Sequence, residues 1–204
     1  MKIVERLIEL DPLVLSGRRG DRSTGKVHIS EILRWVDNRV IHRGQRKPYE
    51  DLSPNERKRM GNYVSVGYAW EDLLAQSLAP VFGGEYVRTG EIELDGIVGT
   101  PDGLELTGLA IDETKATWRS SRRSIETDFW SWFVQVKAYC WMMKLNRVSL
   151  RVFFVNGNYA DSGPQVKCFD IDFTDRELED NWRMILANAR AMQKEKRSGS
   201  VKEK

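Results

Sequence analysis

Asp102, Glu113 and Lys115 are residues whose types and spacing could form a chemical centre. They lie in "GTPDGLELTGLAIDETK", where an apolar run leads into two acids and a lysine. A turn at Thr107-Gly108 would fold this stretch into a hairpin, because glycine tolerates the positive φ that a two-residue turn needs. The numbers of antiparallel partners then sum to 215, so Leu106 faces Leu109, Leu104 faces Ile111 and Asp102 faces Glu113. Strand side chains alternate with a period of two, which places all of these on one sheet face. Leu104, Leu106, Leu109 and Ile111 supply an apolar patch with a carboxylate pair at its end. Two carboxylates directly opposite each other repel, and the pKa of one should rise. A divalent cation removes that penalty. Lys115 lies on the same face, one pleat beyond Glu113, while Asp112 points to the opposite face.

Holding these groups in place requires strands with helices packed against them. Tyr86–Leu94, Gly96–Asp102 and Leu109–Thr117 read as strands, and a helix over 128–145 contains "DFWSWFVQVKAYCWMMK". Strands "RVSLRVFFVN" and "QVKCFDIDF" follow. Thr174 then caps a long final helix, with Glu177 three residues later completing a capping box. Upstream, residues 1–9 read as a short amphipathic helix or arm and residues 10–26 as a glycine-punctuated loop. Ser30 caps a helix from Glu31 to Arg39. Residues 43–54 are polar loop, and Ser53-Pro54 opens another helix. A helical pattern over 64–78 ends at Pro80–Gly84, and no internal repeat is present. This order implies an α/β fold with a mixed central sheet flanked by helices. The expected division is a basic N-terminal helical and loop region over 1–62, a core over 63–197, and a flexible tail over 198–204.

The chain has 204 residues, 41% hydrophobic and 10% aromatic, enough for a core of ordinary size. No run of 18 apolar residues appears, which argues against a transmembrane span. The first residues lack the apolar region of a signal peptide, so the cytoplasm is the expected compartment. Cys140 and Cys168 are too few for a zinc finger or a four-thiolate cluster and read as buried thiols. Net charge is only +2, yet Arg18–Arg59 holds twelve Lys/Arg against six acids. Lys115, Arg119, Arg122 and Arg123 form a second basic cluster. Local basic surface on a nearly neutral chain suits a polyanionic partner. His28 and His42 are expected at the surface, among the basic residues.

Asp102 followed by Glu113-x-Lys115 at the end of an apolar strand resembles the PD-(D/E)XK nuclease signature, and "GTPDG" supplies its Pro-Asp. Gly67–Glu71 reads GxxxE and Gln135–Tyr139 reads QxxxY, both on helices. The i, i+4 spacing puts Gln135 and Tyr139 on one helical face. These elements stand in the order found in the RecB and phage lambda exonuclease branch, and the resemblance covers residues 64–172. It implies a restriction-endonuclease-like core and a metal-dependent deoxyribonuclease of recombination, repair or phage DNA processing, an exonuclease by family analogy. It also implies Asp102, Glu113, the Thr114 carbonyl and Glu71 as hard oxygen ligands for Mg²⁺ or Mn²⁺. Lys115 would orient the attacking water and balance charge developing on the phosphate. Gln135 and Tyr139 would support the site or touch the DNA backbone, and Arg119, Arg122 and Arg123 would meet neighbouring phosphates, with Lys26 in the basic N-terminal region. Trp118 would either stack on an end base or pack in the core. The iron–sulfur cluster of some members is not expected, because its cysteines are missing. DNA is the expected partner and no membrane is. A recombination or helicase protein would supply any unwinding, and a homo-oligomer is left open.

Two other readings compete. Gly20–Lys26 matches the first seven positions of a Walker A loop, and "LAIDE" could pass for a Walker B strand. Yet Val27 stands where the Mg²⁺-binding hydroxyl belongs, and the next helix starts too late to meet phosphates. A non-catalytic DNA-binding or assembly protein on a nuclease fold is the other alternative, against which the intact acids argue.

Overall fold

A computed structural model describes residues 1–7, 25–41, 53, 56, 67, 69–73, 76–77, 85–160 and 163–200. In chain order the elements are β1 (Lys2–Leu7), β2 (Val27–His28), α1 (Ile29–Val36), a π-helical turn (Asp37–Ile41), β3 (Tyr86–Val87), β4 (Ile92–Leu94), β5 (Ile97–Gly99), β6 (Gly103–Glu105) and β7 (Ala110–Thr117). Then come α2 (Ile125–Asp128), α3 (Trp130–Met143), β8 (Arg147–Phe154), β9 (Gln165–Asp172) and α4 (Asp175–Ser200). The main sheet has six strands in the order β1-β9-β8-β7-β6-β3. β7 and β8 run parallel and the other neighbours antiparallel. A parallel pair needs a crossover, and α2 with α3 provides it. A smaller sheet, β2-β5-β4, lies alongside. The fold is therefore α/β, with a mixed sheet flanked by helices.

The two faces of the main sheet differ in chemistry. One carries Ile111, Val148, Leu150, Val152 and Ile171, which bury against Val136 of α3, Ile185 of α4 and Ile32 of α1. The opposite parity places Asp112 beside Ser149, and Arg151 beside Cys168, on the other face. There a small aromatic cluster, Trp70 stacked on Phe153, covers part of the surface. Cys140 and Cys168 are both buried thiols, as their isolation in the sequence suggested.

Several elements depart from the sequence pattern. Residues 2–7 form β1 rather than a helix, because the full length of β1 pairs with β9 and closes an edge that would otherwise be open. Pairing of this kind overrides local propensity. Helix α1 starts at Ile29, not after Ser30, because β2 pairs with β5 through His28 and hands the chain straight to the helix. His28 is therefore 5% exposed, not a surface residue. The expected strand over 86–94 divides into β3 and β4, which join different sheets. Phe129, at φ −128, breaks the helix expected over 128–145 into α2 and α3. The capping box at Thr174 is present: Thr174 N donates to Glu177 Oε2 at 3.0 Å, and Glu177 N donates to Thr174 Oγ1 at 3.3 Å. Helix α4 continues to Ser200, into the segment expected to be a flexible tail. Ser53 and Glu56 cap each other reciprocally, at 2.8 and 3.3 Å. His42, residues 20–24 of the Walker-like stretch and residues 201–204 lie outside the described residues. Among the described residues no helix is long and apolar enough to cross a membrane.

Candidate active site

The β6–β7 hairpin pairs Gly103 with Asp112, Leu104 with Ile111 and Glu105 with Ala110, the register expected from the sequence. Its turn differs. It spans Leu106 to Leu109, four residues, and the left-handed position is Leu109 at φ 47 rather than Gly108. A two-residue and a four-residue turn share the outer pair Glu105–Ala110, so the register survives the change. Leu106 and Leu109 are exposed, the latter by 59%, which leaves Ile111 and the half-buried Leu104 as the apolar part of this face.

Asp102 sits one residue before β6, and its carboxylate reaches across to β7. Oδ2 accepts from Thr114 N at 2.9 Å and from Thr114 Oγ1 at 2.7 Å. The Asp102 amide in turn donates to Glu113 Oε2 at 3.4 Å, and Lys115 Nζ donates to Glu113 Oε1 at 2.5 Å. Glu113 is 1% exposed. Burial, joined by the negative charge of Asp102, pushes its carboxyl up to about 8, against the pull of Lys115. The acid expected to rise is thus Glu113, and burial contributes more to the rise than its partner does.

Asp112 points the other way, as alternation requires, and is fully buried. Arg151 Nε donates to Oδ1 and Tyr86 OH donates to Oδ2, the latter at 3.1 Å. Burial lifts its carboxyl to about 6, with Arg151 opposing. A Cβ on Gly103 would stand 2.2 Å from the Tyr86 hydroxyl, so only glycine leaves room for this contact. An aspartate engaged in this way is not presented as a Walker B residue.

Helix α3 brings a third element to the carboxylates. Gln135 Nε2 donates to Tyr139 OH at 2.7 Å. Burial, and then the charges of Glu113 and Asp102, raise the Tyr139 phenol well above its ordinary range, and the Thr100 main chain hydrogen-bonds to it. A Cβ on Gly99 would lie 2.7 Å from the Tyr139 ring, so this glycine lets the ring lie against β5. Glu71 is held differently: its Oε1 is 3.8 Å from Arg88 Nη2, which also reaches Asp72 at 2.9 Å. The adjacent Thr89 hydroxyl donates to the Pro101 carbonyl, which ties this segment to the residue before Asp102.

The structure therefore gathers Asp102, Glu113, Thr114, Lys115, Gln135 and Tyr139, whereas Glu71 is held by Arg88. Among the described residues no group of three His, Cys, Asp or Glu side chains is arranged to hold a metal ion. The donors here are two carboxylates and a main-chain carbonyl. Such a set fits Mg²⁺, which keeps several waters and takes one or two carboxylates together with substrate phosphate. A buried Glu113 facing Asp102 is a pair whose repulsion a divalent charge relieves.

The basic residues separate. Arg119, Arg122 and Arg123 occupy the exposed loop after β7. Arg119 Nη1 donates to the Asp128 carbonyl at 2.7 Å and its guanidinium lies over Phe129, while Arg123 pairs with Asp128 at 3.0 Å. Lys26 is exposed at the small sheet and pairs with Glu93. Trp118 is half-buried. The sequence reading passed over the Thr114 hydroxyl, Tyr86 and Arg151. An arginine in the middle of the apolar strand "RVSLRVFF" was the available signal, since a buried Asp112 needs a buried cation.

No protein-family model matches the sequence, and no curated protein matches it. Solved structures similar to the chain include two exonucleases. A phage-related exonuclease from Haemophilus somnus 129PT is 15% identical, with 79% of this chain and 78% of that one covered and a TM-score of 0.49. LHK-Exo, solved in complex with dAMP, is 16% identical, with 88% of this chain and 95% of that one covered and a TM-score of 0.47.

Proposed function

We propose that the protein is a metal-dependent deoxyribonuclease, an exonuclease by analogy with the branch it resembles, working in the cytoplasm of a bacterial or phage-infected cell in recombination, repair or phage DNA processing. The observation that carries this reading is the crossed carboxylate pair: Asp102 fixed on Thr114, and Glu113 buried opposite it with the Asp102 amide on one oxygen and Lys115 on the other. Asp102, Glu113 and the Thr114 carbonyl would hold Mg²⁺ or Mn²⁺, with Glu71 as the further ligand that the resemblance implies. When bound, that cation would polarise the scissile phosphate and acidify a water.

The chain's own groups do the rest. The two hydrogen bonds from Thr114 fix the Asp102 carboxylate, so it does not reorganise during reaction. Lys115 Nζ keeps a cationic N–H donor beside Glu113, where it orients a water and neutralises charge developing on the phosphate oxygens. Tyr139, fixed by Gln135 and packed on Gly99, lies buried on the core side of the carboxylates and supports them there. Arg119, Arg122 and Arg123 would meet flanking phosphates.

Digestion of end-labelled linear, circular and single-stranded DNA with Mg²⁺ or Mn²⁺ tests the reading. Mononucleotides released from linear ends, with circular DNA resistant, are expected. Lys115→Ala and Asp102→Ala should each lower the rate by about 10²-fold or more, with circular dichroism unchanged. Full activity in either variant refutes the mechanism. DNA binding without cleavage under any divalent cation would instead favour a non-catalytic binding protein.

A further inference from the structure

The loop that carries Arg119 and Arg122 is stitched to the β8–β9 connection. Val155 N donates to the Thr117 carbonyl at 2.9 Å and Ser121 N to the Gly157 carbonyl at 2.8 Å. Lys167 Nζ donates to the Ser121 carbonyl at 3.2 Å. The Trp118 carbonyl accepts twice, from Asn156 Nδ2 at 3.2 Å and from the Tyr159 hydroxyl. A merely solvated basic loop has no need of so many cross-links to a second segment.

Tyr159 is the unusual member. Its φ is 62, a left-handed conformation that favours glycine or asparagine. Its hydroxyl is tied to Trp118, yet the residue remains 63% exposed. An aromatic ring anchored at one end and open to solvent, beside exposed arginines, combines the two parts of a site for unpaired nucleic acid: a cation for the backbone and a flat apolar surface for a base. Its placement relative to the carboxylates also fits. Trp118 follows Lys115 by three residues along extended chain, about 10 Å at roughly 3.3 Å per residue. Stacked duplex rises roughly 3.4 Å per nucleotide and an unpaired strand can stretch further, so that span is at most about three nucleotides.

We infer that Tyr159 is a base-stacking residue that receives an unpaired nucleotide of the DNA strand within about three positions of the phosphate at Lys115, with Arg119 and Arg122 on the neighbouring phosphates. This subsite rests on the nuclease reading for its location and names the substrate feature it recognises, a single-stranded segment. No base-specific contact is involved, so the site accepts any sequence.

Binding of a fluorescein-labelled twelve-nucleotide oligothymidylate, and of a blunt twelve-base-pair duplex, is measured by anisotropy in EDTA so that nothing is hydrolysed. Tyr159→Ala should weaken oligothymidylate binding about tenfold and leave the duplex unchanged, while Tyr159→Phe keeps affinity within about twofold. Unchanged oligothymidylate binding in Tyr159→Ala overturns the subsite, and so does an equal loss on the duplex. A loss in Tyr159→Phe as large as in Tyr159→Ala assigns the effect to the hydroxyl tether and also overturns stacking. If the wild-type protein binds neither DNA, both the subsite and the nuclease reading fall. If it binds oligothymidylate through Tyr159 but cleaves nothing with Mg²⁺ or Mn²⁺, only the nuclease reading falls.

Discussion

At the scale of single residues, two consecutive pairs on the hairpin divide the work. Asp102 and Glu113 face the helices, while Gly103 and Asp112 face the other side, where Tyr86 and Arg151 wait. Gly103 is as constrained as the acids, since a methyl group there collides with the Tyr86 hydroxyl. Gly103→Ala should therefore cost about 1–3 kcal/mol of stability, read from urea unfolding, because Tyr86 must leave Asp112 or the strands must part. An unaltered unfolding midpoint would show that the hydroxyl moves freely. The carboxylate pair itself was legible in the sequence, since the period-two alternation that buries Ile111 also sets Asp102 opposite Glu113. The partner of Asp112 was not, because Arg151 is 39 residues away and only the parallel β7–β8 register brings the two together.

Among the elements, the cap of α4 was read correctly and β1 was not, and the two differ in how far away their cause lies. The cap of α4 is local: Thr174 and Glu177 are three residues apart and satisfy each other. The strand β1 is not, because nothing in "KIVERL" announces a partner at residues 167–172. The α4 cap also has a measurable pH signature. Partial burial pushes the Glu177 carboxyl up, but hydrogen bonds from Thr174 and the charge of Lys137 outweigh it and lower the group to about 2, from an ordinary 4.5. A depressed acid stabilises the fold fully above its ordinary value and loses that contribution as pH falls towards the folded one. Glu177→Ala should thus cost about 1 kcal/mol at neutral pH. The gap between variant and wild type should narrow from about pH 4.5 downward and close near pH 2. A gap independent of pH across that window would contradict the assignment.

For the molecule as a whole, the sheet is a partition with apolar packing on one side and a polar network on the other. The network includes Asp112, Arg151, Cys168, Ser149 and Asp170, linked by Arg151 to Cys168 at 3.5 Å and Ser149 to Asp170 at 3.0 Å. Arg151→Met would strand the Asp112 charge and should destabilise the protein by about 3–5 kcal/mol, whereas adding Asp112→Leu should recover most of the loss. Thermal unfolding of the single and double variants decides this, and equal melting temperatures for the wild type and Arg151→Met would refute it. The pairing of Lys2 with Asp172 at the edge of the same sheet has a further consequence. During synthesis β1 leaves the ribosome long before β9 exists, so it waits without that neighbour until β9 is made. The hairpin that sets Asp102 against Glu113 needs only β6 and β7, and can close while the far side of the sheet is still unmade.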